Sequence, residues 1–411
     1  ALVRVGLPEN TPAMVMPASR AEFGDYQANG IMPAAKTLKR NPRQLAEKVI
    51  AAAELDDVAE SLQIAGPGFI NVTLKKDFLR DRVAEMLLGD RLGVAEAAKP
   101  EKVVVDYSCP NLAKEMHVGH LRSTIIGDAL VRVLEFLGHK VIRQNHVGDW
   151  GTQFGMLIKR MKEVSGEPVS GDVSIPSGLQ DLETFYIEAK QRYEADEDFA
   201  AAASDMVVQL QQGVKEIKDS WSRFSEESLK HCEQVYERLG VKLRRDDVRG
   251  ESFYNDDLPK VVEDLEAAGL LTESKGAQCV FLDDFKGKDN EPLPVIVQKS
   301  DGGYLYATTD LAAIRYRVRE LKADRILYVT DSRQSLHFSQ IFAVARKASF
   351  APENVSLEHI SFGTMMGSDG RPFRTREGGT VKLMHLLDEA EQRALELVNE
   401  KHPDLAEEKR K

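Results

Sequence analysis

The stretch that most limits what this chain can become runs from residue 102 to residue 148. "KVVVDYS" (102–108) is a short β-branched run suited to a strand buried on both faces. After the loop "CPNLAKEMHVGH", the residues Leu121, Ile125, Ile126, Ala129, Leu130, Val133, Leu134 and Leu137 recur at three- and four-residue steps, and Gly138 ends the pattern. A second strand, "KVIRQNHVG", follows at once. Strand, loop, helix and strand make a βαβ unit. Its right-handed connection puts the loop at the carboxyl edge of a parallel sheet, where open α/β folds hold their ligands.

The rest of the chain is consistent with that core. Its 411 residues give room for two or three domains. With 42% hydrophobic and 29% charged residues it has the balance of a folded soluble protein. Residues 1 to about 98 form a first unit, with a helical pattern at 42–55 and the strand-like "GFINVTL" at 68–74. The connector "GVAEAAKPEK" closes it. From about 181 to 239 the sequence turns strongly helical and charged, which reads as an insertion. Strand signals return in "LPVIVQK", "RILYVTD" (325–331) and "VSLEHISFG" (355–363). "LPVIVQK", the turn "SDGG" and "YLYATTDLAAIRYRV" suggest a hairpin and then a helix. The expected fold is α/β: a doubly wound parallel-sheet nucleotide-binding catalytic domain split by a helical insertion, with a small α/β N-terminal domain. The expected boundaries are 1–98 for the N-terminal domain and 99–365 for the catalytic domain, with a helical and mixed insertion at about 160–290. A basic loop and the start of a helical region fill 366–411.

Charge and cysteine content exclude some functions. A net charge of −11 argues against a protein that holds nucleic acid through overall basicity, so DNA is not an expected partner. Local basic runs at 36–40 and 371–376 are the candidates for contact with phosphate. Three widely spaced cysteines support neither a disulfide framework nor a metal site, which points to a reducing cytoplasm. No apolar run is long enough for a membrane span. A start at Ala1 and an end in "AEEKRK" read as part of a longer protein.

In the loop, Pro110 fixes a bend, and Gly119 removes a side chain between His117 and His120, where a nucleotide would need room. Imidazoles at a helix start can donate to phosphate oxygens, and the helix N-terminus adds roughly 0.3 to 1 kcal/mol for an anion. The arrangement suits ATP phosphates, although His-x-Gly-His alone is common in ordinary turns.

With its flanks, the loop resembles the signature of class I arginyl-tRNA synthetases of the bacterial type. Asp106, Ser108, Pro110, Asn111, Lys114, His117, Gly119 and His120 fill the family's places, and "NHVGDWGTQFG", "YLYATTD" and "DSRQSLHFSQ" match further along. The resemblance covers essentially the whole chain. It implies an ATP- and Mg2+-dependent ligase that converts L-arginine to arginyl-adenylate with release of pyrophosphate. The arginyl group then passes to the 3'-terminal adenosine of tRNA-Arg.

The resemblance also implies site residues. His117, Gly119, His120 and Lys114 would be catalytic, and Asp106, Asn111, Tyr306, Asp310 and Gln334 would hold arginine. Tyr306 and Asp310 stand one helical turn apart, and Asn111 and Gln334 would face the amino end. A guanidinium pairs bidentately with a carboxylate, which should exclude citrulline or ornithine without an editing domain. The sequence departs from the wider class by lacking Lys-Met-Ser-Lys-Ser; it has "MMGSDGRPFRTREGG" instead. The cation that meets ATP pyrophosphate is therefore open among Lys114, Arg371 and Arg374. "FGDYQANG" (23–30) with "GPGFIN" (66–71) resembles the family's N-terminal domain, which touches the outer corner of tRNA. No counterpart of the C-terminal anticodon-binding domain is expected here, and the protein is expected to be a monomer. Two alternatives stay open at this point: an adenylate-forming nucleotidyltransferase of the same superfamily that uses no tRNA, and a non-catalytic RNA-binding paralogue.

Overall fold

A computed structural model describes residues 1–165, 179–287, 290–364, 366, 370 and 382–406. The chain divides into two compact units, Ala1–Ala95 and Glu96–Lys411.

In the first unit, β1 (Val15–Pro17), β2 (Tyr26–Ala28), α1 (Ile31–Leu38), α2 (Pro42–Ala51), β3 (Ala59–Ala65), β4 (Phe69–Leu74) and α3 (Lys76–Leu87) follow in order. Asn41 caps α2 by accepting from the backbone N–H of Arg43 and Gln44, and Pro42 pre-sets the first turn. The strands form an antiparallel sheet in the order β1-β2-β4-β3. Its core is made of Leu7, Ile31, Ala35, Leu45, Ala46, Val49 and Ile70. The two motifs noted in this region lie side by side: Gln27 and Asn71 are register partners on β2 and β4, and Gln27 Nε2 donates to Asn71 Oδ1 at 2.7 Å.

The second unit starts with β5 (Lys102–Asp106), α4 (Val118–Phe136), β6 (Lys140–Gln144) and α5 (Thr152–Ser165). The helices α6 (Leu179–Ala195), α7 (Glu197–Gln211) and α8 (Lys215–Arg238) come next, then α9 (Leu258–Ala267). A three-stranded antiparallel sheet follows, made of β7 (Leu271–Ser274), β8 (Ala277–Lys286) and β9 (Pro292–Gln298). The chain continues through α10 (Tyr306–Arg319), β10 (Arg325–Asp331), α11 (Ser335–Lys347), β11 (Ser356–Phe362) and α12 (Leu383–Lys401).

The central sheet has the order β11-β10-β5-β6, with every pair parallel. Alternate residues serve opposite faces. Val103, Val105, Leu327 and Val329 join the core that includes helices α4 to α8. Val104, Ile326 and Tyr328 join the core that includes α9, α10, α11 and strands β8 and β9. This layering explains why the strands read as continuous apolar runs. β5 pairs with β6 on one side and β10 on the other, so the strand order reverses between β5 and β10. The carboxyl ends of these two strands are the fold's natural ligand crevice. The βαβ unit, β10 and β11 appear where periodicity puts them. Sequence pattern marks no strand at 271–274 or 277–286, within the stretch expected as a helical and mixed insertion, and those segments form a sheet with β9.

Candidate functional site

The loop after β5 is a strained and heavily tied turn. Ser108 and Cys109 have φ of 73° and 50°, the left-handed region that non-glycine residues avoid. Four groups hold them there. Ser108 N donates to Ser123 Oγ at 2.9 Å, Cys109 N donates to Asn145 Oδ1 at 3.0 Å, and the hydroxyls of Ser108 and Tyr236 pair at 2.8 Å. Thr124 Oγ1 reaches both Ser108 Oγ, at 3.0 Å, and the carbonyl of His120, at 2.8 Å. Such a conformation persists only where its surroundings over-determine it.

His117 is the N-cap of α4. Its Nδ1 accepts from Gly119 N, and His120 Nδ1 accepts from His117 N, each at 3.0 Å. Because both Nδ1 atoms act as acceptors, the proton of each neutral ring belongs on Nε2. The ring centroids are 4.0 Å apart. Burial, and then the neighbouring His117, push His120 down to about 3, so it is an uncharged donor at neutral pH. The sequence suggests that Gly119 leaves room for a nucleotide. In the structure the missing side chain leaves space for the His117 ring, since a Cβ there would lie 2.7 Å from His117 Cε1.

Lys114, Glu115, Met116 and His117 line a cleft of about 450 Å³ with Lys382 and, from α6, Tyr186, Ile187, Lys190, Gln191 and Glu194. Lys114 Nζ sits 5.0 Å from the centroid of the Tyr186 ring. Lys382 pairs with Glu115 at 3.1 Å, and Leu383 N donates to Met116 O at 3.0 Å. The segment entering α12 is thereby fixed beside the histidines. Arg371 and Arg374 lie outside the described residues.

The residues expected around arginine are distributed unevenly. Asp106 is reassigned. It is 5% exposed, and its Oδ2 takes Arg317 Nη2 at 2.7 Å. Oδ1 takes the Cys109 thiol at 3.2 Å and His146 N at 3.4 Å. Burial opposes its charge, but Arg317 holds it below the usual carboxylate range, and no edge is left for a substrate. Asn111 Oδ1 accepts from Ala113 N at 3.1 Å, and its backbone bridges to Gly148, extending the β5–β6 pairing into the loop. Gln334 is exposed at the end of the short turn Ser332–Gln334, just past the carboxyl end of β10. Asn111 and Gln334 therefore follow the two strands that flank the crevice. Tyr306 is the first residue of α10, and it is 66% exposed, with Asp310 one turn on.

A carboxylate that sequence reasoning missed completes this group. Glu251, in the short helix Glu251–Asp257, is pushed up to about 8 by burial, then by Asp149, then by Asp310. Tyr306 is raised by burial and by the charge of Glu251. Asp149 itself is buried; it accepts from Ser252 N and Oγ at 2.9 and 2.6 Å, and burial raises it. Its carboxylate fills the space that a Cβ on Gly250 would need. Glu251 thus feels the charge of two further acids, Asp149 and Asp310, a setting that favours an added cation. No sequence signal marks Glu251, because it is the fold that brings it under the influence of Asp149 and Asp310.

Comparison with known proteins settles the lineage. Residues 82–411 match the family described as "tRNA synthetases class I (R), catalytic domain", and residues 1–74 match "Arginyl tRNA synthetase N terminal domain". The chain belongs to the class I arginyl-tRNA synthetase family. Among relatives of this family, the arginine–tRNA ligase of Chromobacterium violaceum is 59% identical over 99% of this chain and 70% of its own length. That of Hahella chejuensis is 57% identical over 99% of this chain and 70% of its own length. The chain thus spans about 70% of these curated relatives. The crystal structure of arginyl-tRNA synthetase from Plasmodium falciparum matches with a TM-score of 0.77 at 34% identity, covering 95% of this chain and 65% of that one. The Thermus thermophilus arginyl-tRNA synthetase shares the fold, with a TM-score of 0.74 at 21% identity, over 99% of this chain and 70% of that one. Among the described residues of this synthetase-family chain, no helix is long and apolar enough to cross a membrane.

Proposed function

We propose that this chain activates L-arginine with ATP and passes the arginyl group to the 3'-terminal adenosine of tRNA-Arg, working as a monomer in the cytoplasm. The observation that supports the reading is Asp310 standing one turn after Tyr306 at the start of α10, with both within the electrostatic reach of the buried Glu251. A guanidinium supplies positive charge where Glu251 meets the charge of Asp149 and Asp310, and its planar fork suits carboxylate edges. Neutral citrulline offers no such charge. Asn111 and Gln334, following β5 and β10, would orient the amino end.

Activation is an in-line attack of the arginine carboxylate on the α-phosphate, so the protein's work is positioning and charge neutralisation, with no general base. His117 and His120 would donate from Nε2 to phosphate oxygens at the start of α4, where the helix dipole favours an anion. Lys114 would offset charge on the departing pyrophosphate, shared with Arg371 and Arg374. Magnesium would enter on the ATP triphosphate; among the described residues no cluster of three or more His, Cys, Asp or Glu is placed to hold a metal ion. The paired motifs of the first unit, with Tyr26 and Gln27 on β2 beside Asn71 on β4, would touch the outer corner of tRNA.

The test is arginine-dependent ATP–pyrophosphate exchange, run with and without tRNA-Arg. Asp310→Asn should abolish exchange while leaving binding of a non-hydrolysable ATP analogue intact. Exchange that persists in Asp310→Asn would remove the acid cluster from the arginine reading.

A further inference from the structure

His337 lies in the first turn of α11, three residues after Gln334, and faces α10. Its Nε2 is 2.6 Å from Asp310 Oδ2, the short contact of a charge-assisted hydrogen bond. The two side chains are 34% and 19% exposed, so the pair sits at the crevice rather than in the core. The Phe338 ring stands edge-on to the imidazole, with centroids 5.4 Å apart. Docking of α10 on α11 does not need this pair, because Leu311, Ile314, Phe338 and Ile341 of the two helices share one buried core. A partly exposed pair contributes little to stability. Its position therefore calls for another explanation.

An aspartate carboxylate turns about a broad final torsion, whereas a bidentate guanidinium contact needs the carboxylate and the fork in one plane. Among the described residues, the hydrogen bond that reaches the Asp310 carboxylate comes from His337 and not from Glu251 or Asp149, so the neighbouring acids do not fix that plane. We propose that His337 is a positioning residue for arginine recognition: its Nε2–H holds one oxygen of Asp310, which leaves Oδ1 and the outer edge of Oδ2 set for the guanidinium. The inference rests on the reading of Asp310 as a guanidinium acceptor.

Two substitutions separate positioning from packing. His337→Gln keeps an N–H donor at a similar reach, and His337→Leu keeps bulk without the donor. The full chain is titrated calorimetrically with arginine, with and without tRNA-Arg, and separately with a non-hydrolysable ATP analogue; thermal midpoints are recorded. His337→Leu should weaken arginine about tenfold or more, and His337→Gln should recover affinity to within about threefold, as expected for one hydrogen bond to a charged group. ATP-analogue affinity and midpoint should not change. Equal arginine affinity in both variants, whether wild-type or reduced, overturns the inference, as does a matching loss of ATP-analogue binding. If the wild-type chain binds no arginine with or without tRNA-Arg, the arginine reading itself fails and takes the inference with it.

Discussion

Glu251 keeps its proton at neutral pH because burial and two neighbouring carboxylates all oppose its charged form, which raises it to about 8. An unfolded chain would release that proton near the ordinary glutamate value of 4.5. Between those values the folded state binds more protons, so this residue's contribution to stability falls as pH rises from about 4.5 to about 8. A guanidinium reverses the preference by supplying the missing charge. Arginine binding at pH 7 should therefore release about one proton, and affinity should rise toward pH 8. Calorimetry in buffers of different ionisation enthalpy counts that proton, and Glu251→Gln should abolish the release while raising the melting temperature at pH 8. Release that survives the substitution would assign it to another group. Gly119 supports a second prediction: Gly119→Ala must move the His117 ring, because the new Cβ would lie 2.7 Å from Cε1. ATP-analogue binding should weaken by about tenfold, the loss of one charged hydrogen bond, while arginine binding is unchanged. The histidines could be read from a single string because their geometry is local. Glu251 could not, since its altered acidity comes from residues that only the fold brings near.

At the scale of elements, α8 does more than fill space. From one helix, Trp221 Nε1 donates to Asp149 O at 2.6 Å, Ser228 Oγ donates to Leu112 O, and Tyr236 contacts Ser108 and Asn145. The inserted helix therefore braces both the histidine loop and the loop that carries Asp149. Composition in the sequence marks the region of α8 as helical and charged, but it cannot show that three of its side chains reach the loops that follow β5 and β6. The same limit applies to Asp106: a carboxylate ending a strand looks available until Arg317, arriving from α10, occupies it. β5, α4 and β6 are legible because their patterns are long and uninterrupted, whereas β7 and β8 are amphipathic strands set in charged sequence. Tyr236→Phe removes only the hydroxyl and leaves Asn145 Nδ2 and Ser108 Oγ without their shared partner. It should cost about 1 to 3 kcal/mol in urea denaturation, the usual penalty for buried unsatisfied groups. It should also lower exchange activity, since the Ser108–Cys109 turn loses one of its restraints. A stability loss with unchanged exchange would confine α8 to scaffolding.

Across the whole molecule, charge and layout bear on how RNA would be held. A chain with a net charge of −11 cannot bind tRNA by general attraction, so association must rest on a few local contacts. Each unit has its own apolar core, the first from Leu7 to Ile70 and the second on both faces of the parallel sheet. Chemistry and RNA contact should accordingly separate. A chain of residues 96–411 should bind arginine and the ATP analogue within about threefold of the full chain, because the histidine pair, the acid cluster and Arg317 all lie within that unit. Its affinity for tRNA-Arg should fall, and the salt dependence of binding should flatten if phosphate contacts are lost with β2 and β4. Filter binding of tRNA-Arg over a salt series, beside calorimetry on both chains, decides the matter. Unchanged tRNA affinity would move the RNA contact onto the second unit, where the Lys114, Lys190 and Lys382 side chains of the cleft are the cations positioned to take it over.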